Sequence, residues 1–287
     1  MKKTVMQKYA RLIARKGINV RKGQEVIVSA SLDQPEFVKM VVEECYRAGA
    51  SKVTVEWSYQ PITKLNYRYR SLKTLSTIEK WELEKIEHRC NALPATIYIE
   101  SDDPDGLKGI DQTKVSKASQ TRYPIIKPYI DRMDNKYQWC IAAVPGEAWA
   151  KKVFPGERTS KAVEKLWNAI LYTSRADGDD PVKAWDEHNA DLKARYDYLN
   201  SLGIESLHYT ASNGTDFTVG LIEDSIFLGG GEYTLSGNYY NPNIPSEEVF
   251  ISPKRGEAEG IVHSVMPLSY RGELIDNFSI RFENGKA

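Results

Sequence analysis

The hydrophobic and polar positions of the first 200 residues predict strands that alternate with helices. Residues 25–29 have the pattern of a buried strand, and residues 52–56 follow as the next one. Between them, apolar residues recur at helical spacing over 37–45, in a segment that Pro35 opens and Gly49 closes. This strand–helix–strand unit predicts parallel strands joined by a right-handed crossover.

The pattern changes after residue 200. Before it, further strands are predicted at 96–100 and 138–144, and helices at 9–16, 78–91, 159–172 and 180–199. After it, helical periodicity stops, and turns separate short β segments at 207–210, 217–221, 260–264 and 278–282. We therefore expect an α/β N-terminal domain with a largely parallel sheet at 1–200. A mainly β (α+β) domain should follow at 201–287.

Composition excludes several classes of protein. The 287 residues are 41% hydrophobic and 27% charged, which is ordinary for a soluble globular chain of about two domains. Its 39 basic and 39 acidic side chains give no electrostatic reason to expect nucleic acid or an anionic membrane as partner. No apolar run could span a bilayer, and the N-terminus forms no signal-peptide core. Three distant cysteines, Cys45, Cys90 and Cys140, indicate reduced thiols in a cytoplasmic protein.

Most motif-like stretches have an ordinary structural interpretation. Residues 185–188, which place Glu187 beside His188, are interpreted as a solvated helical face rather than a metal site. Residues 229–231, three glycines, precede no helix and are interpreted as a flexible turn. No glycine fingerprint follows Val28, which argues against a dinucleotide site. His208 and His263 lie on predicted strands. Each is interpreted either as an ordinary strand histidine or as a zinc ligand.

Two adjacent carboxylates remain as the candidate chemistry. Glu247 and Glu248 lie between a proline-containing loop and the strand-like residues 249–251. A carboxylate at a loop-to-strand junction is rigidly aimed, which suits a metal ligand. From residue type alone, two adjacent glutamates are usually an exposed pair of surface charges, and the metal-ligand interpretation stays open beside that one.

Several blocks of the sequence together resemble one enzyme family. They are Val144-Pro-Gly-Glu-Ala-Trp-Ala150, Asp180-Pro-Val-Lys-Ala-Trp185, Asn213-Gly-Thr-Asp216, Asn243-Ile-Pro-Ser-Glu-Glu-Val-Phe250 and Pro267-Leu-Ser-Tyr270. In order and spacing they resemble the aminopeptidase T family of metallo-aminopeptidases, which includes aminopeptidase S. The resemblance extends over nearly the whole chain.

The resemblance implies a function and one site residue. Glu248 would bind or bridge a pair of divalent metal ions, whether zinc, cobalt or manganese, while Glu247 has no implied role. The protein would be a cytoplasmic, metal-dependent aminopeptidase that releases N-terminal residues from peptides with a free N-terminus. It would act as a homodimer, with no nucleic-acid or membrane partner. The resemblance assigns no further catalytic or cofactor-binding residue in this chain.

One departure from the family limits what is expected of the chain by itself. In the family, a second glutamate, two histidines, a tyrosine and an aspartate complete the metal site beyond the Asn284-Gly285 turn. Those residues have no counterpart here, so the chain is expected to be the N-terminal portion of an aminopeptidase with a truncated catalytic domain. The alternative is a non-catalytic scaffold, or a fragment prone to association through exposed sheet edges.

Overall fold

A computed structural model describes residues 2–287, which form two compact units. The first unit runs through Trp185 and also includes Gly231–Pro245. The second consists of Asp186–Gly230 and Ser246–Ala287. The sequence predicted one cut near residue 200. The structure instead divides the chain inside a helix, and a segment of the predicted second domain belongs to the first unit.

Most of the helices lie in the first unit, and the last one runs from the first unit into the second. Among residues 2–287 they are α1 (Lys3–Leu12, continued by a π-helical turn at Ile13–Gly17), α2 (Pro35–Ala48), α3 (Gln60–Tyr69), α4 (Leu72–Ser76), α5 (Lys80–Ala92), α6 (Gln112–Met133), α7 (Glu147–Val153), α8 (Thr159–Thr173) and α9 (Pro181–Ser201). None of these helices is both long and apolar enough to cross a membrane.

Within residues 2–287, fifteen strands form one larger sheet in each unit, together with three two-stranded ribbons. They are β1 (Glu25–Ser31), β2 (Lys52–Ser58), β3 (Ala95–Glu100), β4 (Trp139–Ala143), β5 (Ser206–Thr210), β6 (Asp216–Leu221), β7 (Leu228–Gly229), β8 (Glu232–Tyr233), β9 (Tyr239–Tyr240), β10 (Asn243–Ile244), β11 (Val249–Phe250), β12 (Pro253–His263), β13 (Leu268–Tyr270), β14 (Glu273–Ile275) and β15 (Ser279–Phe282).

The sheet of the first unit is parallel throughout, as the sequence predicted. Its strand order is β10-β4-β3-β1-β2, and all four neighbouring pairs are parallel. Strand β10 joins it through residues 243–244, which explains why a segment so late in the chain belongs to this unit. The α/β prediction is confirmed.

The core of the first unit packs aromatic rings from three helices together. Tyr9 of α1 stacks on Phe37 of α2 with ring centroids 5.3 Å apart, and Phe37 meets Trp167 of α8 edge-on at 5.4 Å. Such offset contacts add about 1 kcal/mol each to the burial itself. Cys45 lies in the same core, where burial raises the pKa of its thiol to about 12 and so keeps it protonated.

The second unit is mainly β, as predicted, with part of α9 as its helix. Its sheet has the order β15-β12-β6-β5, and all three neighbouring pairs are antiparallel. A separate ribbon pairs β7 with β11, also antiparallel. The ribbon carries the candidate ligand, because Glu248 directly precedes β11.

Candidate functional site

Glu248 lies at the start of a tightly built ribbon. Its neighbour Val249 is opposite Gly229 in the β7–β11 pair. A Cβ at Gly229 would lie 2.7 Å from the Glu248 carbonyl oxygen, so only glycine allows this approach. The Glu248 side chain is exposed, and within residues 2–287 no hydrogen bond or ion pair engages its carboxylate. The backbone is therefore fixed while the carboxylate is available to a ligand.

His188 of helix α9 holds the loop that leads into Glu248. The imidazole Nε2 lies 2.7 Å from the carbonyl oxygen of Ser246. Because a carbonyl can only accept, Nε2 carries the proton and donates it. The same nitrogen is 3.9 Å from Glu247 Oε2, a longer and more solvated contact.

The interpretation of residues 185–188 as a solvated helical face is wrong for two of the four residues. Asp186 and Glu187 are exposed, but Trp185 and His188 are only 0% and 7% exposed. With Leu192, these two residues recur three and four positions apart, which is the spacing of one helical face. A buried histidine normally has a hydrogen-bond partner, and the Ser246 carbonyl is the partner here.

A second contact joins the far end of α9 to the other strand of the ribbon. Asn200 Nδ2 donates to the carbonyl oxygen of Phe227 at 3.0 Å, and the Phe227 N–H donates back to Asn200 Oδ1 at 2.7 Å. Phe227 directly precedes β7, just as Ser246 lies shortly before β11. Helix α9 thus holds both entrances of the ribbon.

The predicted flexible turn at the glycines is instead closely packed. Gly230 has a left-handed backbone with φ of +70°. A Cβ there would lie 2.8 Å from Asn189 Oδ1 and 3.2 Å from Leu192 Cδ1. Glycine is needed at this position because the chain both turns left-handed and passes close to α9.

The other predicted candidates do not converge on Glu248. His208 Nε2 pairs with Asp216 Oδ1 across β5 and β6 at 2.7 Å. The His263 N–H donates to Thr215 Oγ1 at 3.0 Å. Over residues 2–287, no group of three or more His, Cys, Asp or Glu side chains is placed to hold a metal ion.

At the carboxyl end of the parallel sheet, side-chain hydrogen bonds connect the ends of β1 and β3. Ligands of open α/β sheets bind where the strand order reverses, which here is between β1 and β3. At that point Ser31 Oγ donates to Asp102 at 3.0 Å, and Ser101 Oγ donates to Asp33 at 2.6 Å. Both hydrogen bonds join the end of β1 to the residues that follow β3.

An apolar groove of about 1050 Å³ lies in the second unit beside the ribbon. Its lining includes Phe217, Val219, Val249, Phe250 and Phe282. The side chain of Phe250, two residues after Glu248, is 51% exposed. The two residues that follow Glu248, Val249 and Phe250, therefore line the groove, whereas Glu248 itself is not part of the lining.

Comparison with known proteins assigns a family to this arrangement. A family profile described as "Thermophilic metalloprotease (M29)" matches residues 2–287. Aminopeptidase AmpS of Bacillus subtilis is 37% identical over 281 residues, which is 97% of this chain and 68% of that protein. Aminopeptidase T of Thermus thermophilus is 35% identical over 283 residues, 98% of this chain and 69% of that protein.

The fold agrees with a solved structure of the same group. Wild-type AmpT from Thermus thermophilus superposes with a TM-score of 0.87 at 33% identity. The match covers 98% of this chain and 70% of that chain. The chain therefore spans somewhat more than two thirds of the length of these relatives.

Proposed function

The chain belongs to the M29 family of metalloproteases, and from this membership we propose that its function is metal-dependent release of N-terminal residues from peptides. The family match over residues 2–287 carries the proposal. Relatives that are named aminopeptidases align with nearly all of this chain. The enzyme class is therefore a hydrolase with a divalent metal cofactor.

Glu248 is the metal ligand that this chain contributes, in our proposal. Its exposed carboxylate follows a fixed backbone and has the oxygen donors that zinc, cobalt and manganese accept. Catalytic zinc sites need about three protein ligands, and residues 2–287 bring no such group together. The described residues therefore do not complete a metal centre, and no catalytic step follows from them alone.

The remaining details extend the proposal. Two metal ions, rather than one, would share Glu248, and peptides with a free N-terminus would be the substrates. A cytoplasmic location is supported by three cysteines with no disulfide among them. A homodimer is implied by the family resemblance.

The test of the proposal is Glu248→Gln in the full-length gene product. Glutamine keeps the size of the side chain but removes the negative charge that holds a metal ion. We expect loss of at least 100-fold in kcat for leucine p-nitroanilide, loss of bound Co²⁺ or Zn²⁺, and an unchanged melting temperature.

Glu247→Gln is the matched control, since Glu247 is the adjacent exposed carboxylate with no assigned role. It should retain turnover and metal. Wild-type kcat with bound metal in the Glu248→Gln enzyme would refute the ligand assignment, whereas the absence of any metal dependence in the wild type would refute the proposed activity.

Association through the apolar groove is a second candidate, favoured by the exposed Phe250. The chain would then form concentration-dependent oligomers without catalytic activity. Light scattering coupled to size-exclusion chromatography tests this. A monomer at all concentrations would remove this candidate.

A further inference from the structure

We propose that His188 is a positioning residue for Glu248. By donating Nε2–H to the Ser246 carbonyl, it fixes the loop from which the Glu248 carboxylate is presented to a metal ion. The inference rests on the proposed function, because it takes Glu248 to be a ligand. It adds a residue outside the ligand set that acts on the backbone of the ligand loop.

The hydrogen bond between His188 and Ser246 lies where it can control the orientation of the Glu248 backbone. Ser246 is two residues before Glu248, while Val249 and Phe250 immediately after it are paired with β7. The His188 bond fixes the chain on one side of Glu248, and the ribbon fixes it on the other. With both sides held, the Glu248 backbone and its Cα–Cβ bond have one orientation, which limits the space that the flexible carboxylate can reach.

Burial makes this bond stronger than a surface contact. His188 is 7% exposed, so this hydrogen bond lies away from water that would otherwise compete for the imidazole N–H. The alternative partner of the same nitrogen, Glu247 Oε2, is 3.9 Å away on a side chain that is 62% exposed. Exposed ion pairs contribute little, so the carbonyl bond carries the effect and Glu247 does not.

Helix α9 also contacts the ribbon at points other than His188. Asn200 holds Phe227 at the other entrance of the ribbon, and Gly230 packs against Asn189 and Leu192. Because α9 contacts the ribbon at these other points, loss of the His188 bond should loosen the Ser246–Glu248 side alone. The defect should therefore be local.

The first experiment is amide hydrogen exchange on the 287-residue chain, which needs no metal. His188→Ala should speed exchange at the paired residues 249–250 of β11 at least 10-fold and leave the β1–β4 sheet unchanged. His188→Gln should restore slow exchange, because glutamine Nε2 occupies a place similar to that of imidazole Nε2 and donates the same bond. His208→Ala, at an exposed histidine of β5, should have no effect on these residues. Equal exchange in His188→Ala and wild type would overturn the proposal.

The second experiment measures Co²⁺ binding by the full-length gene product. Loss of a group that orients a ligand typically weakens metal binding 10- to 100-fold, and we expect a rise in that range in the Kd of His188→Ala. His188→Gln should remain within threefold of wild type, and saturating Co²⁺ should recover most of the kcat of His188→Ala. A purely structural role would instead lower the melting temperature and leave the Kd of the folded fraction unchanged.

The two proposals fail in different ways. If Glu248→Gln loses Co²⁺ while His188→Ala binds it as wild type does, the positioning role is wrong and the proposed ligand stands. If Glu248→Gln binds Co²⁺ normally, the ligand assignment fails, and the positioning role fails with it. A His188→Gln enzyme as weak as His188→Ala would show that the donated hydrogen bond is not the cause.

Discussion

At the residue scale, a comparison of two glycines with left-handed backbones distinguishes the cost of backbone strain from the cost of steric contact. Gly230 and Gly237 have φ of +70° and +79°, but only Gly230 has atoms within 4 Å of a Cβ added there. We expect Gly237→Ala to lower the free energy of unfolding by about 1 kcal/mol, which is the strain of the left-handed region. Gly230→Ala should lower the free energy of unfolding by about 1–2 kcal/mol more than Gly237→Ala does, because the added Cβ would force the Asn189 side chain to move. Urea unfolding measures both, and equal losses would contradict the packing argument.

A carboxylate of the first unit, Glu56, makes stability depend on pH. Burial by itself would raise the pKa of Glu56, but hydrogen bonds from Arg89 and Lys85 outweigh it and lower that pKa below 4.5. Arg89 Nη2 lies 2.6 Å from both Glu56 oxygens, and the Glu56 side chain is 26% exposed. Because the folded pKa is depressed, the contribution to stability is complete above the unfolded pKa and is lost as pH falls through the folded pKa.

We therefore expect Glu56→Gln to be less stable than wild type by about 1 kcal/mol at pH 7. The difference should shrink as the pH falls below 4.5. Glu36→Gln is the control, because its exposed carboxylate is 4.0 Å from Lys39 and contributes little. Thermal unfolding from pH 3 to 7 provides the comparison, and a pH-independent gap for Glu56→Gln would contradict the ion-pair argument.

At the element scale, α9 holds the ribbon at both entrances, and Asn200 provides the clearest test. Asn200→Ala removes two hydrogen bonds to Phe227, each worth about 1 kcal/mol. We expect a loss of about 2 kcal/mol in unfolding free energy and faster amide exchange at residues 227–229. Tyr198→Ala, on the same helix with a side chain 64% exposed, should stay within about 0.5 kcal/mol of wild type. An equal loss of unfolding free energy in both variants would contradict the proposal that Asn200 holds the ribbon at Phe227.

The elements that could be predicted from sequence are those whose pattern is local. Helix α2 has Pro35 at its start and Gly49, with φ of +110°, at its end, so both boundaries are readable. Helix α6 is not, because Pro124 and Pro128 lie inside it. Proline normally interrupts a helix, and only tertiary packing overrides that preference. Strand β10, two residues long, is equally unreadable, because its partner β4 lies about 100 positions earlier in the chain.

The candidate site divides in the same way between local and distant information. The proposal that Glu248 is a metal ligand rests on a contiguous block that resembles a family motif. His188 was missed, because its partner at Ser246 is 58 residues away in sequence. The available signal was the shared helical face of Trp185, His188 and Leu192, which two charged residues between them, Asp186 and Glu187, obscured.

At the scale of the whole molecule, the decisive quantity is how many metal ligands this chain brings together. Residues 2–287 offer Glu248 but no cluster of three or more ligand side chains. Because a catalytic site needs about three protein ligands, we expect the 287-residue chain to fold and yet hydrolyse no leucine p-nitroanilide with added Co²⁺ or Zn²⁺. Circular dichroism must first show the folded state. Turnover that a chelator abolishes would contradict this expectation, and His208→Ala and His263→Ala would then test whether those histidines complete the site.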